Sequence, residues 1–479
     1  MPHEANFNKQ RPYDSDESRS RTVNSRGTIW LLCLMAYWAL MTTGCTTVGI
    51  IRNEPLVTNV HYDSYSIRTS TSVKNTGPDD ITVILCFSGG GTRAAALSYG
   101  VLDALRDIQI PTNGGVRSLI DEVDVISSVS GGSFTAAYYG LYGDQLFRDF
   151  EQLFLRKDIE KDLFRVMFRP TIWFSRKGRT EMAVRYYEEL LFKGATFADL
   201  KRSTGPLIII NATDIGKGVR FSFLQEYFDL ICSDISSFPI ARAVTASSAV
   251  PILFNPVVLE NHDGCQNEAI QYLNQVRQLS TKSSRLDQLV EGLSSYNEKQ
   301  KRKYIHLVDG GLTDNLGLMP FYELVEGSGG ARKLLEALGG YPTPYLLVIS
   351  VDASTNPQYV FELSVKGPGL EDTVSALTDV QLHRANASTL DLLRQSLRRW
   401  AHDLSTDDTT VEPYFAVIEF GTVKDTDRLR FLNNIPTGFS LSQEEVDALI
   451  AIGRELVMTN PEIFRLLDDL GESSGINVQ

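Results

Sequence analysis

From residue 81 onward the chain alternates short apolar runs with longer stretches of helical periodicity. Candidate strands are 81–87, 122–127, 206–212, 304–308, 344–351 and 414–420. Leu207–Ile210 and Leu346–Ile349 are unbroken aliphatic runs. A strand with one wet face would alternate, so these runs fit strands covered on both faces. The helical repeat occupies 94–107 and 133–157. Near the end, Ser442 and Glu445 form a capping box. It opens a helix with Val446, Leu449, Ile450, Gly453, Leu456 and Val457 on one stripe. This alternation predicts an α/β fold, a three-layer sandwich with a mainly parallel central sheet between helices.

Two segments depart from the pattern. Residues 259–303 are rich in Ser, Gln, Lys and Glu with sparse leucines, and read as a surface helical insertion. Residues 154–179 combine Phe154, Phe164, Phe168, Trp173 and Phe174 with eight basic and three acidic residues. Their helical spacing fits a helix pair with aromatics packed inward. The same composition fits a lid or collar facing lipid head groups.

The N-terminus carries an export pattern. Arg19, Arg21 and Arg26 precede an uncharged stretch from Gly27 to Ile51, most apolar between Ile29 and Met41, the length of a signal-peptide core. Thr42-Thr43-Gly44-Cys45 resembles the lipobox of bacterial lipoproteins, with Cys45 as the lipidated residue and Thr42 where leucine is usual. Ile29–Ile51 is also long enough to stay as a membrane anchor, with the arginines holding its start in the cytoplasm. A buried helix is the third reading. Either of the first two places residue 53 onward outside the cytoplasm and beside a membrane. Thr46, not Asp, follows Cys45, so the lipoprotein resemblance implies sorting to an outer membrane where the organism has one. The expected organisation is a signal over 1–44 (or an anchor to about 51), a polar tether over 45–80 and one catalytic domain over 81–479.

The 479 residues are 43% hydrophobic and 22% charged, ordinary for a globular protein. A formal net charge of −13 argues against a nucleic-acid partner, which needs a basic face. Five cysteines occur without a CxxC pair or zinc-ligand spacing, so neither a structural metal nor a disulfide framework is expected.

Two glycine-punctuated turns carry the chemistry. Strand 81–87 runs into Ser88-Gly89-Gly90-Gly91-Thr92-Arg93 and then a helix. Consecutive glycines let backbone N–H groups converge on an anion at a helix N-terminus, and Arg93 adds positive charge. The second turn, Ser128-Val129-Ser130-Gly131-Gly132, sits between a strand and a helix. It can hold the Ser130 hydroxyl at a strained bend, with Ser128 where the usual G-x-S-x-G has glycine. A third turn, Asp309-Gly310-Gly311, follows strand 304–308 and can bring a carboxylate to the same sheet edge. Taken alone, Asp-Gly-Gly is a plain turn. The Gly89–Gly91 loop does not meet the dinucleotide pattern G-x-G-x-x-G, since position 94 is Ala, and no Walker lysine follows.

In order along the chain, the Gly89–Arg93 loop, the Ser130 bend, Asn211-Ala212-Thr213-Asp214, Ala246-Ser247-Ser248-Ala249-Val250-Pro251 and Asp309-Gly310-Gly311 resemble the patatin-like phospholipase family. The resemblance covers about 81–320. It implies a fold like that of cytosolic phospholipase A2, no metal or other cofactor, and a phospholipid or lysophospholipid substrate met at a membrane surface. It also implies Ser130 as nucleophile, Asp309 as its direct partner, and Gly89, Gly90 and Gly91 as oxyanion donors, supported by Arg93, Gly132 and Gly310. Ser88 and Ala94 stand where many members have Asp and Gly, which predicts altered packing around the loop. Six histidines are present, and a Ser–Asp–His triad through His383 or His402 is the competing arrangement. A non-catalytic lipid-binding protein on the same scaffold and a nucleotide-binding enzyme are the competing functions.

Overall fold

The computed structural model describes residues 49–57, 64–71, 81–112, 115–167, 178–251, 253–265, 268–280, 283–357 and 359–474 apart from 364 and 366. The expected signal or anchor and Cys45 lie outside these residues. Among the described residues no helix is long and apolar enough to cross a membrane.

Eight strands form the central sheet: β1 (Ile81–Phe87), β2 (Val123–Val129), β3 (Leu207–Asp214), β4 (Val219–Ser222), β5 (Val257–Glu260), β6 (Tyr304–Val308), β7 (Tyr345–Asp352) and β8 (Glu412–Glu419). Their order is β8-β7-β1-β2-β3-β6-β5, with β4 paired to β3. The run from β8 to β3 is parallel, whereas β4, β5 and β6 pair antiparallel. Helices used below are α1 (Gly91–Asp107), α2 (Gly131–Tyr142), α3 (Ile240–Ser247), α4 (Glu268–Ser280), α5 (Ser284–Ser294), α6 (Leu370–Leu404) and α7 (Gln443–Met458).

The three layers follow from the period of two along the strands. Val83, Leu85 and Phe87 of β1 face one core, together with Leu97 of α1 and Leu449 of α7. Ile84 and Cys86, between them in sequence, face a second core with Val348, Leu393, Leu397 and Trp400, the last three from α6. Both faces are dry, as the aliphatic runs predict.

Helix α7 opens with the expected capping box of Ser442 and Glu445. Ile452 is buried on its stripe, whereas Ile450, expected there, is only partly buried. Gly453 and Gly100 let α7 and α1 touch backbone to backbone. A methyl group at Gly100 would lie 2.3 Å from the Ile450 carbonyl oxygen, and one at Gly453 would lie 2.7 Å from that of Leu97.

The expected helix 133–157 is broken. Helix α2 stops at Tyr142, before Gly143 at φ +53°, and a separate helical segment spans Leu146–Leu155. Phe154 packs inward on Phe134, with ring centroids 4.6 Å apart. Phe168, Trp173 and Phe174, which carry the lid reading, lie outside the described residues. The insertion is helical as expected: α4 and α5 link β5 to β6.

Two expectations are corrected. The segment read as a polar tether is fastened to the domain over its described part. Asn53 is buried and exchanges two hydrogen bonds with the Glu260 backbone, at 2.8 and 2.9 Å, covering the edge strand β5. Tyr65 is buried and donates to the Ile208 carbonyl at 3.0 Å. Isolated polar anchors of this kind leave no periodic trace. The second correction is a disulfide between Cys232 and Cys265, with Cα atoms 5.5 Å apart. The two cysteines are 33 residues apart, and only folding brings the insertion back to Cys232.

Candidate active site

Strand β2 ends at Val129 and α2 begins at Gly131, which leaves Ser130 to make the whole turn. It does so at φ +49° and ψ −121°, a backbone conformation that L-residues avoid. Gly131 and Gly132 are required by close approach. A methyl group on Gly131 would fall 1.9 Å from the Gly91 carbonyl oxygen, and one on Gly132 would fall 2.7 Å from Cβ of Phe87. The two glycine turns are therefore packed into each other.

The Ser130 hydroxyl donates to Asp309 Oδ2 at 2.7 Å. Asp309 Oδ1 accepts the Gly311 N–H at 2.8 Å. Burial pushes the Asp309 carboxyl up to about 6, while the bonds from Ser130 and Gly311 pull the other way. Asp309 reaches the site because β6 runs antiparallel to β3, with Val308 opposite Thr213, and the chain then turns beneath Ser130. No room exists for a side chain at Gly310, where a methyl group would lie 2.4 Å from the Asn211 carbonyl oxygen.

Ser247, the last residue of α3, ties these distant residues together. Its hydroxyl accepts the Ser130 N–H at 2.8 Å and donates to the Asn211 carbonyl at 2.6 Å. Its carbonyl accepts the Gly310 N–H, and the Ala249 carbonyl accepts the Asp309 N–H, both at 3.0 Å. One short segment thus holds both the serine bend and the aspartate turn. Asn211 completes the frame from β3, donating through Nδ2 to the Ser127 hydroxyl and the Ser128 carbonyl. Asp214 lies further along β3, bound to Arg302 at 2.7 Å and Tyr296 at 3.0 Å. Its role is to hold β3 against the insertion.

The glycine loop is more specialised than its sequence implies. The Gly89 N–H donates to the Asn315 carbonyl at 3.0 Å, so it is committed within the fold. Gly90 at φ +136° and Gly91 at φ +61° follow. Neither of their N–H groups meets an acceptor among the described residues. Ser88, at the expected aspartate position, donates to the Gly89 carbonyl at 3.0 Å and accepts the Ala353 N–H at 2.9 Å. Arg93 is turned away from any oxyanion. It donates to the carbonyls of Ala353 (2.8 Å) and Ile435 (2.6 Å) and to the Thr437 hydroxyl (2.9 Å). Burial lowers its pKa to about 10, so it stays charged at neutral pH while bracing the loop.

No histidine stands between the pair, since both Asp309 oxygens are engaged by Ser130 and Gly311. His262 contacts the Asn53 carbonyl and His383 that of Thr355, at 3.0 and 2.9 Å. His306 is exposed on β6. Among the described residues, no His/Cys/Asp/Glu cluster could hold a metal ion.

Ser130, Asp309, Gly89–Gly91, Gly132 and Gly310 thus converge at one sheet edge. The positions whose roles sequence reasoning missed are Ser247, Asn211 and Asn315. The first two stand in recognisable motifs, but their hydrogen bonds depend on tertiary contacts.

A strained serine on a strand-to-helix bend, a part-buried carboxyl bonded to it and amide donors alongside make an arrangement suited to acyl transfer on serine. Residues 85–322 match the model of patatin-like phospholipases, and over this span the chain resembles that family. Its fold is similar to that of human GIVD cytosolic phospholipase A2, at 12% identity, covering 85% of this chain and 64% of that one, with a TM-score of 0.42. The same human enzyme in complex with methyl gamma-linolenyl fluorophosphonate gives 14% identity, coverages of 82% and 59%, and a TM-score of 0.37. VipD from Legionella pneumophila gives 13%, 90%, 73% and 0.27 for the same measures. The chain thus spans about 64% of the length of the human enzyme. Comparison with curated protein sequences gave no match.

Proposed function

We propose that this protein cleaves a fatty-acyl ester of a phospholipid or lysophospholipid through a Ser130/Asp309 dyad and an acyl-enzyme. The observation that carries this reading is the 2.7 Å hydrogen bond from the Ser130 hydroxyl to the part-buried Asp309 carboxylate. Asp309 takes the Ser130 proton as Oγ attacks the ester carbonyl. The N–H groups of Gly90 and Gly91 receive the oxyanion, and Gly89 serves only to shape the loop. The proton passes to the departing glycerol oxygen. Asp309 then activates the water that releases the fatty acid, returning Ser130 to its starting state.

The setting in this reading is extracytoplasmic and membrane-tethered, through a lipid on Cys45 or an anchor over 29–51. The Cys232–Cys265 disulfide supports that setting, because such bonds persist in oxidising compartments.

The test is fluorophosphonate labelling of the full-length protein with mapping of the labelled residue, together with fatty-acid release from phospholipid. Label on Ser130 is expected. Activity should fall at least ~10³-fold in Ser130→Ala and Asp309→Asn and persist in the His383→Ala and His402→Ala variants. Lipid retention without turnover by the wild type would establish the non-catalytic reading instead.

A further inference from the structure

Asn315 accepts the Gly89 N–H through its backbone, and its side chain lies at the dyad. It is 8% exposed and follows the helical turn Gly311–Asp314 that leaves the aspartate turn. A methyl group at Gly89 would lie 2.7 Å from Asn315 Oδ1 and 3.3 Å from Cβ of Ser130. One at Gly311 would lie 3.2 Å from the same amide oxygen and 3.1 Å from Asp309 Oδ1. The oxygen therefore borders both turns, and because both positions are glycine neither puts a side chain between it and the dyad.

Its orientation is set from behind. Asn315 Nδ2 donates to the hydroxyl of Ser354, just past β7, at 3.4 Å. That hydroxyl also accepts Asn386 Nδ2 of α6 at 3.0 Å, and the Ser354 N–H donates to Asp352 Oδ1 at 2.8 Å. Asn386 donates to Asp352 Oδ2 as well, at 3.1 Å. The amide nitrogen thus faces this cluster, and Oδ1 faces the other way with no donor among the described residues. An unpaired acceptor on a buried side chain costs stability unless some step of function supplies its donor.

Deacylation supplies one. The attacking water must give a proton to Asp309 while a lone pair points at the ester carbonyl. With a single acceptor the water turns freely about that bond, whereas a second acceptor aims it. Once Ser130 is acylated its oxygen has no proton to donate, so Asp309 Oδ2 is released to the water.

We infer that Asn315 Oδ1 accepts one hydrogen of the deacylating water while Asp309 takes the other, which makes Asn315 a catalytic residue of the second half-reaction. The inference rests on the proposed hydrolase function and deepens it by assigning the water its place. The water oxygen bonds to the acyl carbon, one proton passes to Asp309, and the other stays on the oxygen that Asn315 holds. As the bond from that carbon to Ser130 Oγ breaks, the Asp309 proton moves to Oγ and the fatty acid leaves. Acylation consumes no water and does not need this contact.

The test is stopped-flow hydrolysis of p-nitrophenyl butyrate by the full-length wild type and Asn315→Ala, with intact-mass measurement of the acyl-enzyme. Alanine keeps the backbone carbonyl that holds Gly89. First-turnover release of nitrophenol and the rate of fluorophosphonate labelling should stay within about twofold of wild type, while the steady-state rate falls at least about tenfold and butyryl-Ser130 accumulates. Asn315→Asp keeps an oxygen at this position and carries the test if alanine does not fold. Its steady-state rate should recover at high pH, with the acidic limb moved upward by the added carboxylate. Equal losses of first-turnover and steady-state rates in Asn315→Ala would make the side chain a brace for the loop and overturn the inference. An unchanged steady-state rate in that variant, or an unshifted limb in Asn315→Asp, would do the same. A wild type that neither takes the label nor releases nitrophenol would overturn the hydrolase reading itself, and the inference with it.

Discussion

Ser130 keeps a strained backbone because its neighbours leave the turn no other path, and its hydroxyl is thereby held against Asp309. Desolvation raises the part-buried Asp309 carboxyl to about 6, against the bonds from Ser130 and Gly311. In the proposed role of general base it must be ionised, and activity should therefore rise with pH through about 6; a pH–rate profile of kcat/KM checks this. The same shift has a stability consequence of opposite sense. The folded state holds the Asp309 proton more tightly than the unfolded chain, whose value is 3.8. Stability from this group is present below that value and is lost as pH rises through about 6. Asp309→Asn should therefore raise the melting temperature at pH 7.5, by the equivalent of about 3 kcal/mol at most, and the gain should vanish near pH 4. Ser247→Ala removes the acceptor for the Ser130 N–H and the donor to Asn211. A loss of about tenfold in kcat is expected, with KM unchanged, read in steady-state assays on a soluble ester.

At the scale of elements, periodicity told most. Strands β1, β2, β3, β6, β7 and β8 were legible to within two residues at their ends because each carries apolar residues at buried positions, in unbroken runs in β3 and β7 and alternately in β6 and β8. Strands β4 and β5 were not, because four residues apiece give too short a pattern. The break after Tyr142 was hidden for a different reason: apolar residues continue across it, and only Gly143 marks the stop. The contact of α1 with α7 depends on Gly100 and Gly453, neither of which tolerates a side chain facing the other helix's carbonyls. Gly453→Ala should cost about 1–3 kcal/mol despite its gain in helix propensity, seen as a lower urea midpoint. An alanine at exposed Gly421 on the same sheet edge meets no such obstacle.

For the whole molecule, the Cys232–Cys265 link closes a 33-residue separation that contains α3 and β5 and ends just before the insertion helices. A loop of that length corresponds to about 3–4 kcal/mol in the chain-entropy account. Dithiothreitol should lower the melting temperature of the wild type and leave Cys232→Ser/Cys265→Ser unaffected; the remaining described cysteine, Cys86, is buried. Sequence alone determined the layered α/β class, the two glycine turns and the choice of Ser130 and Asp309 as candidates, because hydrophobic period and backbone freedom are local properties of residue order. Tertiary structure alone decided that the Gly89 amide and the Arg93 guanidinium are spent on the scaffold, that Ser247 holds both turns, and that Cys232 meets Cys265. Those contacts join residues far apart in the chain, and a hydrogen bond or disulfide exists only where the packed fold brings its two ends within reach.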